Sequence, residues 1–411
     1  MTRLDLDLVQ TLAAAGVTLF LGFGVVRAIP ALGRSNVPAA VVGGLAVATA
    51  VTLARVTGVA TVGFDTSLQT PLMTAFFTSI GLSAGMALLR DGTGQALSFL
   101  LLASVLAVVQ NVIGVGVAIA FGESPLLGVL MSSTALAGGP ATALAFAPQF
   151  AAAGVPAAET MAIAAAMAGI VLGGLLGGPI ATRLLRSDGL RGPLPGAGPT
   201  GATVAAAPVA RPDGAPSTDT ADEEGGVRAP LKALTVVLCA MAAGEAISAG
   251  FVRVGLTLPG YVGAMLAGAA LRNLDDATDS IRIPHDLSAR LGAACLTLFL
   301  TVALANLRLW QLTSLAAPLV VNLCLQAVAV GVFCRWFVFP LMGRDYDAAV
   351  MTGGFIGFML GTTANAMAVM HTLVDRFGPA PRAFVVAPIV GAFFIDFTNA
   401  IIITAFLGLL G

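Results

Sequence analysis

Charge is what this sequence has least of. Asp, Glu, Lys and Arg make up 10% of its 411 residues, against about 25% in a soluble domain. No soluble fold hides so much apolar surface, and a nucleic-acid partner is not expected. The two histidines, His285 and His371, lie far apart and fit no metal motif. The four cysteines, Cys239, Cys295, Cys324 and Cys334, are scattered through apolar runs without metal-ligand or redox spacing. No GxxxxGK[ST] loop is present, so direct coupling to ATP is not expected. No cleavable leader is discernible: the first apolar run reads as a first span.

What is there is hydrophobic length. Residues of apolar type make up 57% of the chain. Apolar segments fall at 8–29, 37–60, 68–89, 95–121, 125–150 and 158–182, and again at 231–252, 257–271, 287–307, 313–341, 346–372 and 383–410. Many approach or exceed the ~20 residues that span a hydrocarbon core. Between the two sets, residues 186–230 are rich in Pro, Gly, Ala, Asp and Glu with almost no large apolar residue. That composition reads as a flexible linker without transport chemistry.

The two sets resemble each other at an offset of about 220 residues. PLMTAFFTSIGLSAGM (71–86) pairs with ACLTLFLTVALANLRLW (294–310), and GVLMSSTALAGGPATALAF (128–146) with AAVMTGGFIGFMLGTTANAM (348–367). The fifth segment of each set is crowded with Gly, Ser, Thr, Ala and Pro. Backbone so broken survives at membrane depth only inside protein or beside a water-filled cavity. Segments 125–150 and 346–372 are therefore expected to be re-entrant hairpins. The expected fold is an all-α polytopic membrane protein. It has two inverted repeats of five transmembrane helices, residues 1–185 and 231–411, each with a hairpin before its last helix. The plan is that of secondary transporters.

Basic residues agree with one orientation. With both termini outside, sixteen fall on the cytoplasmic side and only Arg3, Arg55, Arg253 and Arg308 on the other, a strong positive-inside bias. Trp310 and Trp336 fall near expected span ends, where interfacial aromatics belong.

Polar residues inside the apolar runs are the candidate site. Asp396 and Asn399, three residues apart in 383–410, share a helix face. An acid inside a span is normally kept for an ion or substrate path. Asp396 is the expected ligand of a coupling ion, with Asn399 and Gly361 beside it. Thr362, Thr363 and Asn365 cluster at the expected tip of the second hairpin. Ser132, Ser133, Thr134 and Thr142 occupy the first, with Gly138 and Gly139 forming its break. These residues are assigned to substrate contact; each could instead satisfy helix backbone or bridge helices. Gln110 and Asn111, adjacent in an otherwise apolar span, support the site or bridge helices. Asp65 and Asp347 read as solvated or capping acids, His371 as structural, and the GG pairs at 43–44, 173–174 and 177–178 as helix packing. Neither hairpin holds Arg or Lys, so a substrate carboxylate would rest on backbone N–H groups and hydroxyls.

Several of these runs are similar to one known family. NVPAAVVGGL near the start, DTSLQTPLMTAFFTSIGLSA (65–84), VVQNVIGVGVA (108–118), GIVLGGLLGGP (169–179), AAVMTGGFIGFMLGTTANAMAVM, RFGP (376–379) and VGAFFIDFTNA (390–400) resemble the glutamate:sodium symporter (ESS) family. The resemblance covers nearly the whole chain outside the linker. It implies a homodimeric secondary transporter in the cytoplasmic membrane that takes up glutamate, or a related small anion, with sodium ions. It implies no tightly bound cofactor, and an elevator motion of a substrate-carrying core against a scaffold. Proton coupling through Asp396 is the alternative. A channel would call for a continuous polar path, and an intramembrane aspartyl protease for two acids held together. Asp347 and Asp396 do not meet that need from sequence position.

Overall fold

The computed structural model describes residues 2–29, 38–85, 94–190, 223–253, 258–309 and 315–411. Most of the linker, and Trp310, lie outside them. The described residues are largely helical. The first set comprises α1 (Leu8–Ala28), α2 (Ala39–Val56), α3 (Gln69–Ser83) and α4 (Gly94–Ala120). It continues with a short α5 (Pro125–Val129), α6 (Gly139–Ala152) and α7 (Ala158–Ser187). The second set comprises α8 (Glu223–Arg253), α9 (Gly260–Thr278), α10 (His285–Ala305) and α11 (Ala316–Phe333). It goes on through α12 (Phe339–Leu341), α13 (Tyr346–Met359), α14 (Thr363–Phe377), α15 (Pro381–Ile389) and α16 (Ile395–Leu410). Seven helices among the described residues are long and apolar enough to cross a membrane, as a polytopic membrane protein requires.

One short two-stranded sheet accompanies the helices. Strand β1 (Thr2–Asp5) pairs in parallel with β2 (Ala60–Gly63). Both lie outside the apolar runs, where a short extended segment can satisfy its backbone only by finding another.

Helices α1–α3 pack with α8–α10, and α4–α7 with α11 and α13–α16. Small residues set these contacts. A methyl group built on Gly22 would lie 2.0 Å from the Ala39 carbonyl oxygen, and one on Gly43 2.1 Å from that of Thr18. Backbones approach this closely only where side chains are missing. Gly169, Gly173 and Gly177 make the same kind of seam between α7 and α13. Methyl groups there would come 2.4 Å from the Leu360 carbonyl oxygen, 3.2 Å from that of Gly357 and 2.8 Å from that of Gly353. Leu97, Leu101, Val105, Val112 and Ile119 project outward along α4, the composition of a surface facing acyl chains.

Three π-helical turns interrupt these helices: Leu130–Thr134, Cys334–Val338 and Val390–Phe394. The third begins two residues after Pro388, which has no N–H to give its helix, and ends two residues before Asp396. Such turns re-aim the residues that follow and recur at functional sites.

Candidate functional site

Two interrupted helices meet in the interior. The first, α5, runs into its π-helical turn, and at Ser132 the backbone leaves helical geometry altogether (φ −110°, ψ −118°). The chain resumes at Gly139, whose φ of +66° suits glycine. The second interruption separates α13 from α14 at Leu360–Thr362, where Thr362 caps α14 by accepting from the Asn365 N–H. The interruptions touch each other. A methyl group on Gly139 would lie 3.1 Å from Thr362 Cγ2 and 3.4 Å from the Gly361 carbonyl oxygen.

The buried carboxamides around these breaks share one habit. Gln110 donates from Nε2 to the Met359 carbonyl (2.9 Å), Asn365 from Nδ2 to that of Ile170 (2.8 Å) and Asn399 from Nδ2 to that of Ser133 (3.0 Å). On α11, Asn322 donates to the Met131 carbonyl (2.9 Å) and Gln326 to that of Gln110 (2.8 Å). All five are fully buried. Each amide nitrogen is thus spent on main chain. The oxygens Gln110 Oε1, Gln326 Oε1, Asn365 Oδ1 and Asn399 Oδ1 accept nothing from the described residues. The hydroxyls of Ser133, Thr134 and Thr142 are likewise unpartnered. Asn111 has the opposite polarity: Oδ1 accepts from the Ser133 N–H (3.1 Å), leaving Nδ2 unpartnered.

A buried polar atom without a partner costs about 1–3 kcal/mol. A group of them in one interior is rarely left unused. Neutral oxygens from amide, hydroxyl and carbonyl are the donor set of a hard monovalent or divalent cation.

The expected site residues fall as follows. Ser132, Ser133, Thr134, Gly138, Gly139 and Thr142 line the first break, and Gly361 and Thr362 the second. Asn399 is bonded to the first break, and Gln110 and Asn111 brace both. Two other residues face backbone. Thr363 Oγ1 donates to the Gly391 carbonyl (2.9 Å), and the Asn365 amide is held on α7. Asp396 is half-buried on the first turn of α16 and takes no hydrogen bond from the described residues. Tyr261, a buried residue of α9 stacked on Phe77, carries an unpartnered hydroxyl. Asn322, Gln326 and Tyr261 are the residues that sequence reasoning missed. Two carboxamides at i, i+4 in an apolar run, 216 residues from Gln110 to Gln326, were the available signal.

The other polar features are structural. Asp65 caps a turn through the Ser67 N–H, and Asp347 accepts from the Arg382 N–H. His371 packs on Phe384. Two surface cavities of about 340 Å³ meet at Asn306 and Arg308, and no residue around the breaks lines either.

A helical membrane protein with an enclosed, oxygen-rich cluster at paired helix breaks has the build of a secondary transporter. The sodium/glutamate symporter family model matches residues 4–379. The chain is 36% identical over 412 residues to the sodium/glutamate symporter of Escherichia coli (strain K12), covering 98% of each. It is equally similar to that of Shigella flexneri. To that of Haemophilus influenzae it is 35% identical over 392 residues, 95% of each. The chain belongs to the sodium/glutamate symporter family.

Proposed function

We infer that this protein is a sodium-coupled symporter that brings glutamate, or a closely related small organic anion, into the cell. The observation that carries the reading is the surplus of buried, unpartnered oxygens around the two breaks. Sodium supplies what those oxygens lack. Asp396 contributes the negative charge, with Asn399 Oδ1 and the Gly361 carbonyl as neutral ligands. The anionic substrate takes donors: the Asn111 amide, the hydroxyls of Ser132, Ser133, Thr134, Thr142 and Thr362, and N–H groups at the starts of α6 and α14.

The remainder of the reading concerns assembly. The chain works as a homodimer in the cytoplasmic membrane with both termini outside, residues 1–185 and 231–411 being inverted repeats joined by a cytoplasmic linker. The body containing both breaks moves past the body formed by α1–α3 and α8–α10, in elevator fashion. Sodium and substrate together permit the crossing. Most helix packing falls within one body or the other, which supports this division.

The test is uptake of labelled L-glutamate into proteoliposomes, with and without an inward sodium gradient, for wild type and Asp396→Asn. The expected result is sodium-driven uptake that the substitution removes. Full-rate uptake without sodium would overturn the coupling; dependence on a proton gradient instead would assign Asp396 to proton transfer.

A further inference from the structure

Helix α11 buries Asn322 and Gln326 completely, one turn apart and therefore on one face. Each satisfies an atom at or beside an interruption. Asn322 Nδ2 donates to the Met131 carbonyl, immediately before the non-helical Ser132. Gln326 Nε2 reaches Ser132 Oγ (3.0 Å) and the Gln110 carbonyl (2.8 Å). Gln110 then donates from its own side chain to Met359, the last residue of α13. A helix's last carbonyls have no partner within the helix, so Gln110 closes the second interruption as Asn322 closes the first.

The result is a continuous chain of contacts from Met131 and Ser132, through Gln326 and Gln110, to Met359. Each break is held by a residue from the other half of the sequence. The path is buried throughout, where such networks polarise and stiffen one another. No motif reading requires it: helix packing alone needs one such contact, not a reciprocal pair joined through the middle.

We propose that Gln326, with Gln110 and Asn322, is a positioning joint between the two helix breaks. Through it, a sodium ion held at Gly361 of the second break sets the geometry of the substrate contacts that the first break offers. This rests on the sodium-coupled reading above. Gln326 acts through Gln110 and Ser132.

The test compares wild type with Gln326→Met, which keeps the length and removes the donor, in full-length protein in nanodiscs. Glutamate affinity is measured at low and high sodium. Amide hydrogen exchange is followed at residues 131–134 and 359–361. In wild type, sodium should tighten glutamate binding by about tenfold, a usual coupling between linked sites, and in the variant by no more than about twofold. Exchange should rise at both breaks, although Gln326 touches only the first. Faster exchange confined to 131–134, with the sodium effect intact, would overturn the joint. If wild-type glutamate binding ignores sodium, the sodium-coupled reading fails, and the exchange pattern alone decides whether the breaks are joined. Should Gln326→Met not fold, Gln110→Met removes the donor to Met359 at the other end of the joint, and faster exchange should then reach 131–134 as well as 359–361.

Discussion

Asn399 donates from Nδ2 to the main-chain carbonyl of Ser133, 3.0 Å away and 266 residues earlier in the chain. The bond fastens α16 to the first helix break and turns Asn399 Oδ1 away from that carbonyl. Asn399→Ala should remove one of the two donors to the Ser133 carbonyl, leaving the Gly138 N–H at 3.0 Å, at a cost of about 0.5–1.5 kcal/mol. Thermal unfolding in detergent should show the loss. The sodium concentration for half-maximal uptake should rise as well. A lower melting temperature with an unchanged sodium requirement would make Asn399 a strut alone.

Asp396 stands one helical turn from Asn399. Replacement by Asn conserves shape and removes charge, so stability should change little while sodium-dependent stabilisation disappears. Asp396→Glu keeps the charge on a longer arm and should retain a weakened sodium response. Differential scanning fluorimetry with sodium and with choline reads both without any need for substrate.

Two glycines on α4 should behave oppositely. A methyl group on Gly114 would lie 2.1 Å from Ser132 Oγ and 2.3 Å from the Gly128 carbonyl oxygen, whereas one on Gly116 meets nothing within 4 Å. Gly114→Ala should displace the first break and cost about 1–3 kcal/mol, the usual price of overpacking. Gly116→Ala should be neutral or slightly stabilising. Equal melting temperatures for the two variants would show that the break yields freely.

Asp275 lies beyond the apolar stretch of α9 and organises the loop into α10. Its carboxylate accepts the Ile283, Arg282 and Ile281 N–H groups at 2.7–2.8 Å. These bonds, Ile283's foremost, hold the acid below the ordinary carboxylate range. A depressed folded-state value stabilises the fold above the ordinary carboxylate pKa. That contribution is lost as pH falls through the depressed value. Asp275→Asn should lower stability at neutral pH and flatten the acid limb of the melting-temperature profile. Parallel profiles for variant and wild type would remove Asp275 as the cause.

The breaks were legible because their composition conflicts with lipid exposure. Gly138–Gly139 and Gly361–Thr362 were sited from glycine and hydroxyl density, and the structure interrupts its helices at both. The departure at Ser132 was not, since nothing local to LMSST distinguishes a π-helical turn from a regular one. Asn322 and Gln326 escaped for a related reason. A lone carboxamide in an apolar helix looks alike whether it bridges two neighbours or braces a break, and only the partner decides. Thr363 is the reverse case: its position at a tip suggests substrate contact, and its hydroxyl is engaged by the Gly391 carbonyl. The β1–β2 pair joins residues far apart in sequence through a few polar positions, too short to carry a pattern.

The glycine seam between α7 and α13 has a practical corollary for directed evolution. In a library randomised across 169–178, the codons for residues 169 and 177 would return almost nothing but glycine, since a side chain there enters main chain at 2.4 and 2.8 Å. Residue 173, with its nearest contact at 3.0 Å, would be less restricted. Gly178, one position beyond with open space beside it, would accept most apolar replacements. One helix thus offers adjacent positions, one closed to variation and one free, and a tag, probe or crosslinker for following the protein belongs at the second.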